Sequence, residues 1–332
     1  MSYKAEFVSH DLYKQLCQRI HSMNSYGRKK HIDKLNGVDR TNKIYAQKTL
    51  QNHLIYCRLF SDWCKKVHPD ATIKTASQFV PDYLQFCLDK GLSVGTVKVY
   101  RASLNKIFKI TTDLPNFITL PELNRTEFTR SRGEKKQDKH FSEIKHHDIV
   151  LLAKATGGRR NDLQSVQKGD LVSKSFLETN INFLDIHEKI IANDALTAFP
   201  NTYYFIHFRR SKGGRSRYSP IDNKYLNEAL KLFQGNPEEK VLHDKISKAA
   251  DIHAYRAEYA NSIYDYIARD VDKIPYDKIN KGTGHPYQSD VYHCRGNMKG
   301  IAFDRKALKA VSIALGHGHQ RFEIFVNNYF RP

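Results

Sequence analysis

Five separated segments of the chain each offer a side chain suited to holding a phosphodiester while a tyrosine attacks it: Thr156-Gly-Gly-Arg-Arg-Asn-Asp-Leu163, Ser211-Lys-Gly-Gly-Arg-Ser-Arg217, His253-Ala-Tyr-Arg256, Leu315-Gly-His317 and Tyr329. Breaking such a bond without a metal builds negative charge on the non-bridging oxygens, and rigidly held, permanently charged arginines are the best donors for it. Two arginines from separate elements would clamp both oxygens. Arg159, aimed by the turn at Gly157-Gly158, is the first candidate, with Arg160 as its immediate competitor, and Arg256 is the second. His253 precedes Arg256 by three residues, which on a helix puts the two on one face. A leaving 5′ oxygen needs a proton, and Lys212 can supply one if surrounding cations lower its pKa. A tyrosine nucleophile keeps the bond energy in a phosphotyrosyl link and permits rejoining without a nucleotide, a part that Tyr329 fits. Taken singly, the segments read more blandly, as a surface Arg-Arg pair, a helix-surface His-Arg pair and a basic hairpin on DNA backbone. Their joint presence carries the chemistry.

In this order the segments resemble the motifs of the tyrosine recombinases, the lambda-integrase family, and the chain looks like the integrase of a mobile element. The resemblance covers about residues 41–330, with specific motifs only in 155–330. It implies that Arg159 and Arg256 clamp the scissile phosphate and that His253 donates to it or transfers a proton. Lys212, on a β-hairpin, would be the general acid. His317 of the Leu-Gly-His element would hydrogen-bond the phosphate, with His319 its nearest competitor, and Tyr329 would form a 3′-phosphotyrosyl intermediate. Asp162 and Leu163 stand where the family places an acidic residue and a leucine, and Ala257-Glu-Tyr-Ala260 is similar to the helix that follows the second arginine. The implied fold is mainly α with a small antiparallel β-sheet: a helical core-binding domain plus a mixed α/β catalytic domain, closing as a clamp on duplex DNA. The implied partners are double-stranded DNA with specific recombination sites and a homotetramer that exchanges strands through a Holliday junction. A need for accessory DNA-bending proteins is left open. Neither a metal nor another cofactor is required.

Bulk composition agrees with a polyanionic partner. The chain has 332 residues, enough for two domains, and its 54 Lys and Arg against 35 Asp and Glu leave a formal charge of +19. An anionic membrane surface is the rival, but no apolar run is long enough to span a bilayer and no signal pattern opens the chain. The expected location is cytoplasmic, nucleoid-associated when bound to DNA. The cysteines, Cys17, Cys57, Cys64, Cys87 and Cys294, are odd in number and lack Cys-x-x-Cys spacing, which argues against disulfides and zinc and for small side chains buried in helices.

The elements that must position these residues follow from periodicity. Residues 1–40 form a basic, helix-prone extension with Leu12, Leu16, Ile20 and Met23 at helical spacing, either an extra DNA contact or a packing helix. Residues 41–124 look all-helical: a helix over Lys43–Val67 ending before Pro69, a second from about Pro81 to Asp89, and a third capped by Ser93 and carrying Val97, Tyr100, Leu104, Ile107 and Phe108. Residues 125–140 are charged and almost without apolar side chains, and read as a linker. The catalytic domain, 141–332, opens with a helix over Ser142–Thr156. Strands are expected at Ser175–Ile181 and Tyr203–Phe208, a hairpin turn at Arg209–Arg217, and helices at Tyr225–Phe233 and Ala249–Ala268. DNA contacts are expected from Arg215 and Arg217 on the hairpin, Lys98 and Arg101 on the third helix, and Arg130 and Arg132 in the linker.

Three features depart from the family pattern. Tyr329 stands twelve residues after His317, about one helical turn more than usual, so a continuous helix would turn it by roughly 300° and leave it facing nearly the same way. His317 stands sixty-one residues after Arg256, which implies an insertion at about 270–299 that contacts DNA or a second protomer. Tyr329 has only three residues after it, so the C-terminal link by which many relatives couple protomers is expected to be missing or to be supplied by the N-terminal extension, the insertion or the tyrosine-bearing helix itself. The alternatives are a type IB topoisomerase-like enzyme, which shares the chemistry, and a non-catalytic DNA-binding protein derived from an integrase, which the full set of candidate residues speaks against. A metal-dependent nuclease would need a carboxylate cluster, and the sequence shows none.

Overall fold

The computed structural model describes residues 11–28, 30–110, 118–121, 140–211, 215–295, 298–318 and 321–330. Linker residues 125–139, with Arg130 and Arg132, and also Lys212 and His319, lie outside the described residues. The chain divides into two compact units, Met1–Leu123 and Asn124–Pro332. Together they are mainly helical, with small antiparallel sheets.

The first unit contains α1 (Leu12–Ser22), α2 (Lys30–Leu35), α3 (Gln47–Val67), α4 (Val80–Asp89) and α5 (Val94–Phe108). Asp11 starts α1 by accepting from the Lys14 amide, and Ser93 starts α5 by accepting from the Thr96 amide at 3.2 Å. The helical stripe of α1 faces the interior of this unit. Leu12, Leu16, Ile20 and Met23 are buried in the same core as Leu50, Phe60, Leu84 and Leu104, so α1 is a packing helix of this unit. Cys57, Cys64 and Cys87 are buried in that core, and burial pushes the Cys57 and Cys64 thiols up to about 12.

The second unit contains α6 (His147–Thr156), α7 (Arg160–Ser165), β1 (Leu171–Ser173), α8 (Lys174–Asn180), α9 (Ile186–Ala198), β2 (Tyr204–Phe208), β3 (Arg217–Pro220), α10 (Leu226–Leu232), α11 (Ile252–Ile267), β4 (Lys278–Ile279), β5 (Pro286–Tyr287), β6 (Val291–His293), β7 (Ala302–Asp304), α12 (Arg305–Ala314) and α13 (Phe322–Asn328). Strands β1, β2 and β3 form an antiparallel sheet with Val172 opposite Phe205 and His207 opposite Tyr218. Because side chains alternate along β2, Phe205 enters one apolar core while Ile206 and Phe208 enter another. Helix α11 feeds both: Ile252 and Tyr255 pack in the second core, and Ala257, Tyr259 and Ala260 in the first. Arg256 is therefore carried between two cores.

One expected strand needs correction, and one helix had no expectation at all. Residues 175–181 form no strand; the Ser173 hydroxyl accepts from the Phe176 amide and starts α8, with Leu177 alone turned into the core. Helix α9 was not foreseen, because it buries mainly the small residues Ala192 and Ala195 and leaves Ile186 and Ile190 exposed, so its apolar residues show no helical stripe. Residues 270–299, expected as an insertion, hold the short antiparallel pair β4 with β5 and strand β6, which pairs with β7 just beyond them. Arg269 anchors this stretch, reaching Asp304 at 2.7 Å and Asp290 at 3.1 Å. Among the described residues no helix is long and apolar enough to cross a membrane.

Candidate active site

The site is built around the guanidinium of Arg256, which is 1% exposed. A buried guanidinium is tolerated only when its N–H groups find acceptors, and here they come from three remote segments. NH1 donates to the Gly157 carbonyl, NH2 to the Leu315 carbonyl at 2.7 Å, and Nε to the Tyr329 phenolic oxygen at 3.1 Å. The guanidinium also stands 5.6 Å from the centre of the Tyr329 ring, within cation–π range.

Each supporting segment has a local reason for its shape. Helix α6 ends at Gly157, whose φ of +59° is left-handed and whose Cβ, if present, would lie 2.2 Å from the Tyr259 ring. Only glycine fits both conditions, and the resulting turn presents the Gly157 carbonyl to Arg256. Helix α12 ends at Leu315, and Gly316, with φ of +69°, turns the chain so that the His317 amide donates back to the Ser312 carbonyl at 2.9 Å. Tyr329 closes α13, where its amide donates to the Phe325 carbonyl and its own carbonyl accepts from the Asn261 side chain at 2.8 Å.

His317 lies beside both Arg256 and Tyr329. Its ring is nearly parallel to that of Tyr329, with centroids 5.8 Å apart, and its Nε2 is 3.4 Å from NH2 of Arg256. An arginine can only donate, so Nε2 is the unprotonated nitrogen and the proton sits on Nδ1. Burial, reinforced by Arg256, Arg159, Arg217 and Arg321, pushes the imidazole down to about 3. His317 is neutral throughout the physiological range.

The structure separates Arg159 from its neighbour. NH1 of Arg159 donates to the Ser211 hydroxyl at 2.6 Å and lies 3.8 Å from Asp162, and its amide donates to the same carboxylate at 3.1 Å. Burial and the nearby charge of Arg256 lower its pKa. Arg160 points elsewhere and ties down the segment before α11, donating to the carbonyls of Ile246 at 3.0 Å, Ser247, and Ala250 at 2.7 Å.

Of the other expected residues, His253 lies in the first turn of α11 and is exposed, while Arg256, three residues on, is buried. Arg215 is exposed, and Lys98 and Arg101 are half-buried on α5. Arg217 departs from expectation: it is 2% exposed and pairs with Asp162 at 3.0 Å, so it is no surface contact for DNA. Burial, followed by the charge of Arg256, pulls it down to about 9, with Asp162 opposing. The clue in the sequence is that Arg217 opens the run Tyr218–Ile221, whose strand is buried on both faces. Asn261, which holds the Tyr329 backbone, and Ser211, which joins Arg159 to Asp162, had no role assigned from the sequence; Asn261 belongs to no chemical pattern, and Ser211 only opens the segment that carries Lys212.

The arrangement supplies a phenol, two guanidinium groups and a neutral imidazole within one constellation, with a third arginine behind them. Such a set suits an oxyanion developing beside the phenol. Compared with family models, with curated proteins and with solved structures, the chain finds no match.

Proposed function

We propose that this protein is a tyrosine site-specific recombinase, of the integrase type, cleaving and rejoining DNA through a 3′-phosphotyrosyl intermediate. The observation that carries the reading is the meeting of Arg256, His317 and Tyr329, brought from three distant segments to hydrogen-bonding or stacking distance. In cleavage, the Tyr329 oxygen bonds to phosphorus, its proton passes to a base for which His253 is the candidate, and the bond to the 5′ oxygen breaks. Arg159, Arg256 and the N–H of neutral His317 stabilise the oxygens that gather charge. Lys212 protonates the leaving 5′ oxygen, and the reverse sequence rejoins the strand. Duplex DNA with specific sites is the substrate, four copies assemble on two sites, and the basic excess draws the protein to DNA.

The test is covalent capture. Purified protein in EDTA is mixed with nicked duplexes carrying the ends of its own element, beside a Tyr329→Phe variant. An adduct that survives SDS and is lost in the variant is expected. Tight DNA binding without any adduct would overturn the catalytic reading in favour of a DNA-binding protein.

A further inference from the structure

We propose that Arg217 is a positioning residue of this site, holding the loop at Ser211 and the turn bearing His317 against the start of α7, so that Arg159 and His317 are set before a phosphoryl group arrives. The inference rests on the reading just given. From inside β3, NH1 of Arg217 reaches the Ser211 hydroxyl at 2.6 Å and Asp162 at 3.0 Å, and Nε reaches the Ser219 hydroxyl at 3.0 Å and the Ala314 carbonyl at 3.1 Å. Gly316 lies against its alkyl stem: a Cβ there would be 2.9 Å from Cδ of Arg217. The Ser211 hydroxyl, which also accepts from Arg159 and donates to Asp162 at 3.0 Å, is thus shared by two arginines and one carboxylate. One buried side chain connects the segments that carry Arg159, Ser211 and His317.

Stability alone does not account for this residue. Among the described residues its buried NH2 meets no acceptor, and a buried ion pair with an unsatisfied donor is commonly no better than an apolar pair of the same volume. A fork that spans three segments instead resists their relative movement, and a lysine, with one point charge, could not replace it.

The probes are orthovanadate, which adopts the five-coordinate shape of phosphoryl transfer, and inorganic phosphate, which stays tetrahedral. Each is titrated calorimetrically into the full-length protein. A positioning role weakens binding of the transition-state shape selectively. Arg217→Lys is expected to bind orthovanadate about tenfold more weakly and phosphate within about threefold of the unaltered protein. Should Arg217→Lys fail to fold, Ser211→Ala, which leaves the ion pair in place, is expected to show the same split with an unchanged melting midpoint. Combined with Arg217→Lys in a protein that folds, it should add little, because both act through one node. Unchanged orthovanadate binding in a folded variant, or equal loss of both anions, would overturn the role of Arg217. If the unaltered protein fails to bind orthovanadate, or if Arg256→Lys binds it normally, the phosphoryl-site reading itself fails, and the role of Arg217 with it.

Discussion

Nε of Arg256 lies 3.1 Å from the phenolic oxygen of Tyr329, a residue 73 positions further along the chain. The same guanidinium holds the Gly157 and Leu315 carbonyls, so the helix that carries the arginine, the turn before Arg159 and the turn before His317 all take their spacing from it. On the proposed reading, a group so placed would orient Tyr329 and meet the charge that its attack creates.

Replacing Arg256 by lysine keeps the charge and loses the fork. Adduct formation with nicked duplex should fall by at least roughly a hundredfold. The melting midpoint should drop by several degrees, on the order of 2–4 kcal/mol, because two buried carbonyls lose their donors. Cleavage near the unaltered rate would show that Arg256 is only a strut.

The adjacent arginines should separate by phenotype. Arg159→Ala is expected to abolish most adduct formation with little change in melting. Arg160→Ala, which strips donors from the Ile246, Ser247 and Ala250 carbonyls, should instead lower stability by about 1–3 kcal/mol while cleavage persists at low temperature. The reverse result would exchange the two assignments.

Gly157→Ala tests the turn. A methyl group there meets the Tyr259 ring in a left-handed backbone, so a loss of about 2–4 kcal/mol in denaturant unfolding is expected. A neutral substitution would show that the turn can relax without disturbing Arg256.

The depressed pKa of His317 has a signed consequence. Its value falls from an ordinary 6.5 to about 3 on folding, so below pH 6.5 the unfolded chain binds more protons at this residue than the folded one. The stability associated with neutral His317 is fully present above pH 6.5 and is lost as pH falls from there through about 3. His317→Asn should remove part of that acid sensitivity in denaturation measured at several pH values. An imidazole titrating near neutrality by NMR would contradict the buried, arginine-flanked placement.

Arg215 is exposed and Arg217 is not. Arg215→Ala should therefore weaken DNA binding evenly across sequences and reduce the salt slope by about one. An unchanged slope would remove Arg215 from the DNA contacts.

Much of this was legible in the sequence because it depends on local rules. The Ser93 cap, the end of α3 before Pro69 and the helical stripe of α1 are short-range patterns, and each has its structural counterpart. Residues 175–181 misled because a stretch of seven with a single buried leucine has no readable period, and a capping serine decided the matter. The exposure of His253 was hidden, since three-residue spacing says nothing about which side of a residue meets a core, whereas the burial of Arg217 was signalled only by the apolar run it opens.

By itself, the sequence determined the residue types, their order and the local turns. Glycines stand where left-handed backbone is needed, arginines follow or face those turns, and a tyrosine follows His317. Only the tertiary structure decided which arginine faces Tyr329 and which braces a loop, and that Arg217 belongs to the interior. The physical reason is that desolvation and hydrogen-bond completion act between segments. Arg256 finds its acceptors at Gly157, Leu315 and Tyr329 only after α11 has been packed between two cores.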